Sequence, residues 1–433
     1  MARSKPEKPS ARGAALDLLQ AVLQKKIPLD QALADDPGMA ALEGRDRGFA
    51  RALTATTLRR LGQIDALIDA ALERPLPRKA KGVQDILRLG IVQLLFMDTA
   101  PHAAVDTAVD LAQARGHGPH KKLVNAVLRR FSRDGRSLIE KQDAARLNTP
   151  GWLWDSWMKT YGEDTCRRIA EAHLTEAPLD ITVPVDTALW AERLEADILP
   201  TGTLRRAAGG LVHELPGFED GAWWVQDAAA ALPVHLLGDV SGTHVIDLCA
   251  APGGKTAQLV KAGARVTAVD RSEKRLVRLR ENLNRLNLEA ETVAADAALW
   301  RPDERGDAVL VDAPCSSTGT IRRHPDVARL KAPDDIAKLA GVQQRLLAAA
   351  VEMVRPGGLI IYCSCSLEPE EGPAQVRTLI DSGAPVSRQP VTPEEIGGMQ
   401  ELVSETGDLR TLPCHLGERG GMDGFFAARL QRL

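Results

Sequence analysis

The sequence predicts a multidomain protein: an all-α N-terminal domain, a small α+β connector, and a C-terminal α/β domain with a parallel sheet. Three observations carry that reading. From Ala11 to about Asp134 apolar residues recur at helical spacing and strand signals are absent. Between residues 141 and about 240, strand-like and helix-like segments mix. From Thr243 onward strands alternate with helices, the mark of a parallel sheet. The expected boundaries are 1–140, 141–240 and 241–433, and a chain of 433 residues exceeds one typical core.

Composition narrows the function. Charged residues make up 26% and the formal net charge is -3, so contact with an acidic polymer must come from local patches. The cysteines at 166, 249, 315, 363, 365 and 414 lack paired zinc spacing; no metal site is expected, and the scatter suits a reducing compartment. Leu89 to Met97, the most apolar stretch, is too short to span a bilayer, and the first ten residues have no apolar core. A soluble, cytoplasmic monomer is the expectation.

The helical region is marked by Leu16, Leu19, Val22 and Leu23, and again by Val83, Ile86, Leu87, Ile91, Leu94 and Leu95. Pro28, Pro37, Gly62, Pro75, Pro77 and Pro101 divide it into about six helices. Arg115, Lys121, Lys122, Arg129, Arg130, Arg133 and Arg136 stand against one acid, Asp134. Such a run reads either as a solvated face or as a phosphate contact. Arg47-Gly48-Phe49-Ala50, Ile86-Leu87-Arg88-Leu89-Gly90 and Leu123-Val124-Asn125-Ala126-Val127-Leu128-Arg129-Arg130 resemble the NusB-type helical domain, which implies an RNA-binding module.

In the connector, Trp154 and Trp157 at i and i+3 read first as core, with base stacking as the sharper alternative. Leu179 to Val185 and Gly210 to His213 alternate like strands. Gln226-Asp227 opens a helix that Asp227 is suited to cap.

In the last domain Val245-Ile246-Asp247-Leu248 is a strand, and Cys249-Ala250-Ala251-Pro252-Gly253-Gly254-Lys255-Thr256 turns into a helix whose first amides are free for a ligand. The next strand, Arg265 to Val269, ends in Asp270, placed to accept ribose hydroxyls, so a nucleoside-containing ligand is expected. Asp296 follows a third strand and suits an adenine amino group. Gly253-Gly254-Lys255-Thr256 is half of a P-loop, because Cys249 holds the position that needs glycine; a Gly-x-Gly-x-x-Gly run is also missing. S-adenosylmethionine remains, although spacing alone does not establish it. Two further strands end in chemistry: Ala308-Val309-Leu310-Val311 in Asp312-Ala313-Pro314-Cys315, and Leu359-Ile360-Ile361, entered by a turn at Pro356-Gly357-Gly358, in Cys363-Ser364-Cys365-Ser366. Strand ends of this kind bring two thiols and a carboxylate to one rim.

Asp247 to Thr256, Asp312 to Gly319, Arg322-Arg323-His324-Pro325-Asp326, Tyr362 to Glu371 and Gly421-Met422-Asp423-Gly424-Phe425-Phe426 resemble the RsmB (Sun/Fmu) family of RNA cytosine carbon-5 methyltransferases. The resemblance implies a Rossmann-like class I methyltransferase domain. It implies S-adenosylmethionine held by Cys249, Ala250, Ala251, Pro252, Gly253, Gly254, Lys255, Asp270, Asp296 and Asp312, with Arg275 near the ribose. It also implies Cys365 as nucleophile, Cys315 as its assistant in release, and ribosomal RNA, 16S above all, as substrate. Another RNA such as tRNA, or a non-catalytic assembly factor, are the alternatives.

The residues alone do not say which thiol attacks. A thiolate added to carbon-6 makes carbon-5 nucleophilic, and a contact at nitrogen-3, for which Asp312 is suited, eases the addition. Lys255 either orients Asp312 and the base or partners the loop. A helix start after Cys365, with Ser366 as its cap, would favour the thiolate, whereas Glu368, Glu370 and Glu371 oppose it. Arg322 and Arg323 are expected to meet phosphate. Ser317 stands where the family has glycine, Cys363 is an added thiol, and Gly372-Pro373 replaces an expected asparagine.

Overall fold

The computed structural model describes residues 10–433, so the reading of the extreme N-terminus lies outside the described residues. The chain folds as two compact units. One runs to Leu174 and includes Arg323–Lys331; the other comprises Thr175–Arg322 and Ala332–Leu433. Among the described residues no helix is long and apolar enough to cross a membrane.

The first unit is all helix. Eight α-helices lie between Ala11 and Ile139, where punctuation predicts about six. Asp36 caps an extra four-residue helix, Pro37–Ala40, by accepting from the Met39 amide. At Arg60 the backbone leaves the helical region (ψ 12), separating Gly44–Arg59 from Leu61–Ala71. Two of the three family-like motifs have packing reasons. Arg88 pairs with Asp65 at 2.7 Å and Asp85 at 2.8 Å. Gly90 admits Leu128, whose methyl would lie 2.7 Å from any Cβ there. On the last long helix, Lys121–Ile139, Val124, Val127, Leu128 and Phe131 face the core, leaving Arg129, Arg130, Arg133 and Arg136 exposed. Arg115 is engaged by Asp17.

Helices Ala144–Asn148, Gly151–Tyr161 and Glu163–Ala172 complete this unit. Trp157 is core, tilted against His173 with ring centroids 5.4 Å apart. Trp154 instead lies under the guanidinium groups of Arg146 and Arg167, at 5.3 and 5.6 Å. The late segment Arg323–Lys331 belongs here because Asp326 accepts from the Leu29 amide at 2.9 Å and Arg329 donates to the Asn148 carbonyl.

The second unit holds two sheets. The smaller contains β1 (Leu179–Thr182), β2 (Asp197–Ile198), β3 (Leu204–Arg206) and β4 (Trp224–Val225), in the order β2-β3-β1-β4, all pairs antiparallel. The strand expected at Gly210 to His213 is not there; Val212–Glu214 is a 3₁₀ turn preceded by Gly209 and Gly210 at positive φ, a backbone that cannot join a ladder. Asp227 caps helix Ala228–His235 through the Ala229 amide, as expected.

The larger sheet has eight strands: β5 (His244–Leu248), β6 (Arg265–Asp270), β7 (Glu291–Ala294), β8 (Gly306–Asp312), β9 (Val354–Ser364), β10 (Val386–Gln389), β11 (Leu409–Thr411) and β12 (Phe425–Arg432). Its order is β10-β12-β9-β8-β5-β6-β7, with β11 pairing β12. Strands β5 to β9 are parallel, and β12 inserts antiparallel beside β9. This is the Rossmann-like arrangement. Chain order reverses between β5 and β8, so the ligand crevice falls at their carboxyl ends. Strand β9 begins at Val354, before the expected turn: Gly357 takes a left-handed φ of +80 and the ladder with β8 shifts register there.

Candidate active site

Read along the sheet, the carboxyl ends of consecutive strands present Asp296, Asp270, the Cys249 turn, Asp312 and Cys365. That sequence follows from the order β7-β6-β5-β8-β9. The β5 turn is shaped by two left-handed residues, Cys249 at φ +63 and Gly253 at φ +103. Gly253 leads straight into helix Gly254–Lys261, whose first-turn amides have no helical carbonyl to satisfy them. At its foot, Asp247 is fully buried; Thr256 donates to it at 2.6 Å, and burial pushes its carboxyl up to about 7. Burial, followed by the charges of Asp312, Asp270 and Asp247, pushes the Cys249 thiol up to about 12, so this cysteine is inert at neutral pH.

Asp270 is almost fully buried. It accepts from the Ser272 and Ala251 amides and pairs with Arg275 at 2.9 Å. Arg275 also donates to the Ala251 carbonyl, bridging the β5 turn and the end of β6. Asp296 is exposed and caps its own turn through the Ala298 amide. An acidic edge beside a glycine turn with free amides fits a ligand carrying ribose hydroxyls and a positive sulfonium.

Lys255 reaches across to Asp312 at 2.8 Å and lies 4.9 Å from the Phe425 ring centroid. Burial pulls its ammonium down, but Asp312, Cys363 and Asp247 together outweigh that and hold it above the ordinary lysine range. Cys363, opposite Asp312 in the β8–β9 register, turns its sulfur toward that carboxylate at 3.7 Å. Burial, then Asp312, raises its thiol well above the usual value, so the added cysteine serves as a weak donor to Asp312.

The two expected thiols meet. Cys315 Sγ and Cys365 Sγ are 3.3 Å apart, both half-buried. Backbone bonds lock the two loops: the Ala313 amide donates to the Cys363 carbonyl and the Gly319 amide to the Cys365 carbonyl. The hydrogen bond from Cys315 lowers the Cys365 thiol, whereas the same bond, with burial, raises Cys315. Of the two, Cys365 is therefore the more readily ionised thiol. Ser317 Oγ lies 3.6 Å from Cys365 Sγ and 4.0 Å from Cys315 Sγ. Ser317 keeps a left-handed φ of +61 although it is not glycine.

Three local expectations are corrected. No α-helix starts at Cys365: a 3₁₀ turn, Pro369–Glu371, intervenes before helix Pro373–Asp381, and Ser366 Oγ accepts from the Glu368 amide instead of capping that helix. Its dipole therefore does not account for the lowering of the Cys365 thiol. Arg322 does not face phosphate. It is fully buried, donates to Asp227 at 2.6 Å and to the Gly420 carbonyl, and lies 3.6 Å from Asp423. Glu371, expected with Glu368 and Glu370 to oppose the thiolate, is fully buried and ties both cysteine loops together. The sequence signal for this tie is the serine that directly follows each cysteine, Ser316 and Ser366.

A family model described as 16S rRNA methyltransferase RsmB/F matches residues 234–431, and the NusB family model matches residues 9–133. Ribosomal RNA small subunit methyltransferase B of Vibrio cholerae is 36% identical over 390 residues, covering 86% of this chain and 89% of that protein. The chain belongs to the RsmB/F rRNA methyltransferase family. Its RsmB/F relative from Vibrio vulnificus is 32% identical and covers 97% of this chain and 99% of its own length. A methyltransferase homolog protein from Pyrococcus horikoshii, a solved structure, superposes with a TM-score of 0.53 at 27% identity, over 64% of this chain and 94% of that one.

Proposed function

We propose that this RsmB/F methyltransferase moves a methyl group from S-adenosylmethionine to carbon-5 of a cytosine in ribosomal RNA, the 16S species named in the family description, through a covalent link to Cys365. The observation that carries this reading is the 3.3 Å approach of Cys315 and Cys365 on the rim that also holds the Asp312–Lys255 pair. Bound S-adenosylmethionine supplies an electrophilic methyl carbon. Cys249 to Lys255, Asp270, Arg275, Asp296 and Asp312 are the residues that would hold it.

The protein supplies the rest. Cys365, as thiolate, adds to carbon-6 and forms a carbon–sulfur bond, which pushes electron density onto carbon-5. Nitrogen-3 takes a proton through the Asp312–Lys255 pair, which neutralises the negative charge that this addition creates on the ring. After transfer, solvent water takes the carbon-5 proton, the C–H electron pair re-forms the carbon-5–carbon-6 double bond, and the carbon–sulfur bond breaks, returning its pair to Cys365; the Cys315 thiol assists by donating to the departing sulfur. A cytosine reaching such a pocket must be unstacked, which favours single-stranded or looped RNA. The exposed Arg129, Arg130, Arg133 and Arg136 give the helical unit a face suited to RNA phosphates.

The test is transfer of labelled methyl to rRNA followed by bisulfite sequencing. Cys365→Ala is expected to abolish transfer, and Cys315→Ala to leave RNA attached to protein on a denaturing gel. The opposite phenotypes would exchange the two assignments, and a fully active Cys365→Ala would end this reading.

A further inference from the structure

Nothing in the sheet topology distinguishes the two thiols, since adjacent parallel strands deliver both to one rim. Among their surroundings one group does. Glu371 lies beneath the dithiol, fully buried, and every hydrogen bond its carboxylate makes is one it accepts. Oε1 accepts from the Ser316 amide at 2.9 Å and from Gln343 Nε2 at 3.0 Å. Oε2 accepts from Ser366 Oγ at 2.6 Å, from the Ser316 amide at 3.2 Å and from the Ser316 hydroxyl. An acceptor-only pattern is that of an ionised carboxylate. Its partners Ser316 and Ser366 each directly follow one of the two cysteines.

The other charges facing the pair are neutralised. Asp312 has Lys255 at 2.8 Å, and Asp423 has Arg322 at 3.6 Å. Arg410 is occupied with the Ser366 carbonyl at 2.7 Å. Tyr362, which donates to the Glu371 carbonyl, and Cys363 are both held in their neutral forms by burial. Glu371, by contrast, is bound by amides and hydroxyls, and none of its hydrogen-bond partners is a cation. A buried charge without a counter-ion acts over a longer reach than a paired one.

We propose that Glu371 is the positioning residue that gives the two sulfurs different roles: it clamps the Cys315 and Cys365 loops together and keeps the proton on Cys315. Its negative charge is felt at Cys315, whose thiol it helps to raise, and the proton retained there is the one donated to Cys365. Asp312 and Asp423 oppose the thiolate at Cys365, but Lys255 offsets the first, and Arg322, shared with Asp227, lies 3.6 Å from the second. The asymmetry therefore comes from the uncompensated carboxylate. Glu371 touches neither base nor cofactor and acts only through the cysteines.

This inference rests on the assignment of Cys365 as nucleophile, but its test needs neither RNA nor cofactor, so the two can fail separately. Initial rates of iodoacetamide modification at Cys365 and Cys315 are measured on the full chain at pH 7 by peptide mass spectrometry. In the native protein Cys365 reacts first. In Glu371→Gln, which keeps shape and loses charge, the Cys365-to-Cys315 rate ratio falls by on the order of tenfold, the value of one pKa unit. Glu371→Asp, which retains the charge, restores most of the preference. Ser316→Ala and Ser366→Ala leave the carboxylate and remove one donor each, so the ratio rises. A folded Glu371→Gln with an unchanged ratio would overturn the proposal. If that variant does not fold, a ratio that stays flat or falls in both serine variants overturns it instead.

Discussion

Replacing Asp247 by asparagine should make the protein more stable at alkaline pH and leave it nearly unchanged in acid. Asp247 is fully buried at the end of β5, its Oδ2 accepts from Thr256, and its Oδ1 has no hydrogen-bond partner. Burial raises its carboxyl from 3.8 to about 7. A raised folded value means that the folded state binds this proton more tightly than the unfolded chain does. The resulting stabilisation is complete below the unfolded value and is lost as pH climbs through the folded one. About three pKa units correspond to on the order of 4 kcal/mol over the whole window, of which about 2–3 kcal/mol falls between pH 5 and pH 8. Asparagine cannot titrate, so the variant-minus-native difference should grow in the variant's favour by that amount. Urea unfolding of both proteins at pH 5, 6, 7 and 8, followed by circular dichroism, measures it. A difference that is flat across those four values would show that Asp247 is ionised at ordinary cost, and the reasoning about the β5 turn would fail with it.

Arg322→Met should cost about 3–5 kcal/mol of stability, because it leaves Asp227 and Asp423 buried without their cation; thermal melting checks this. The salt dependence of RNA binding should keep its slope, and a reduced slope would return Arg322 to the phosphate-contact role. Ser317→Gly should stay within about 1 kcal/mol of native stability, since relief of the left-handed backbone offsets the added chain entropy. The same change should slow modification of Cys365, which loses the nearby hydroxyl; an unchanged rate would make Ser317 a bystander.

Much of this architecture is legible in the sequence because strand ends and glycine turns are local signals. The β5 turn, the Asp270 end of β6 and the two cysteine loops are each fixed by a few adjacent residues, and parallel pairing of β8 with β9 then brings Cys315 to Cys365. What sequence does not reveal depends on partners far along the chain. Arg322 looks like a surface cation until Asp227 and Asp423, 95 and 101 positions away, enclose it. Glu371 resembles a solvated acid in a Pro-Glu-Glu run until Gln343, Ser316 and Ser366 surround it. Cys363 and Cys365 share a strand face by alternation, yet β9 stops at Ser364. The second thiol is thereby freed to turn toward Cys315 while the first stays against Asp312.

The helical unit is not a contiguous gene segment. Nine residues, Arg323–Lys331, are threaded out of the catalytic unit and back, and Asp326 and Arg329 are among the groups that hold them. A cut after Leu174 therefore yields two damaged pieces. The N-terminal fragment loses the carboxylate on the Leu29 amide, and the C-terminal fragment carries Val327, Ala328 and Leu330 on a loop without its seat. Shuffling these modules between relatives requires that the nine-residue excursion travel with its helical host.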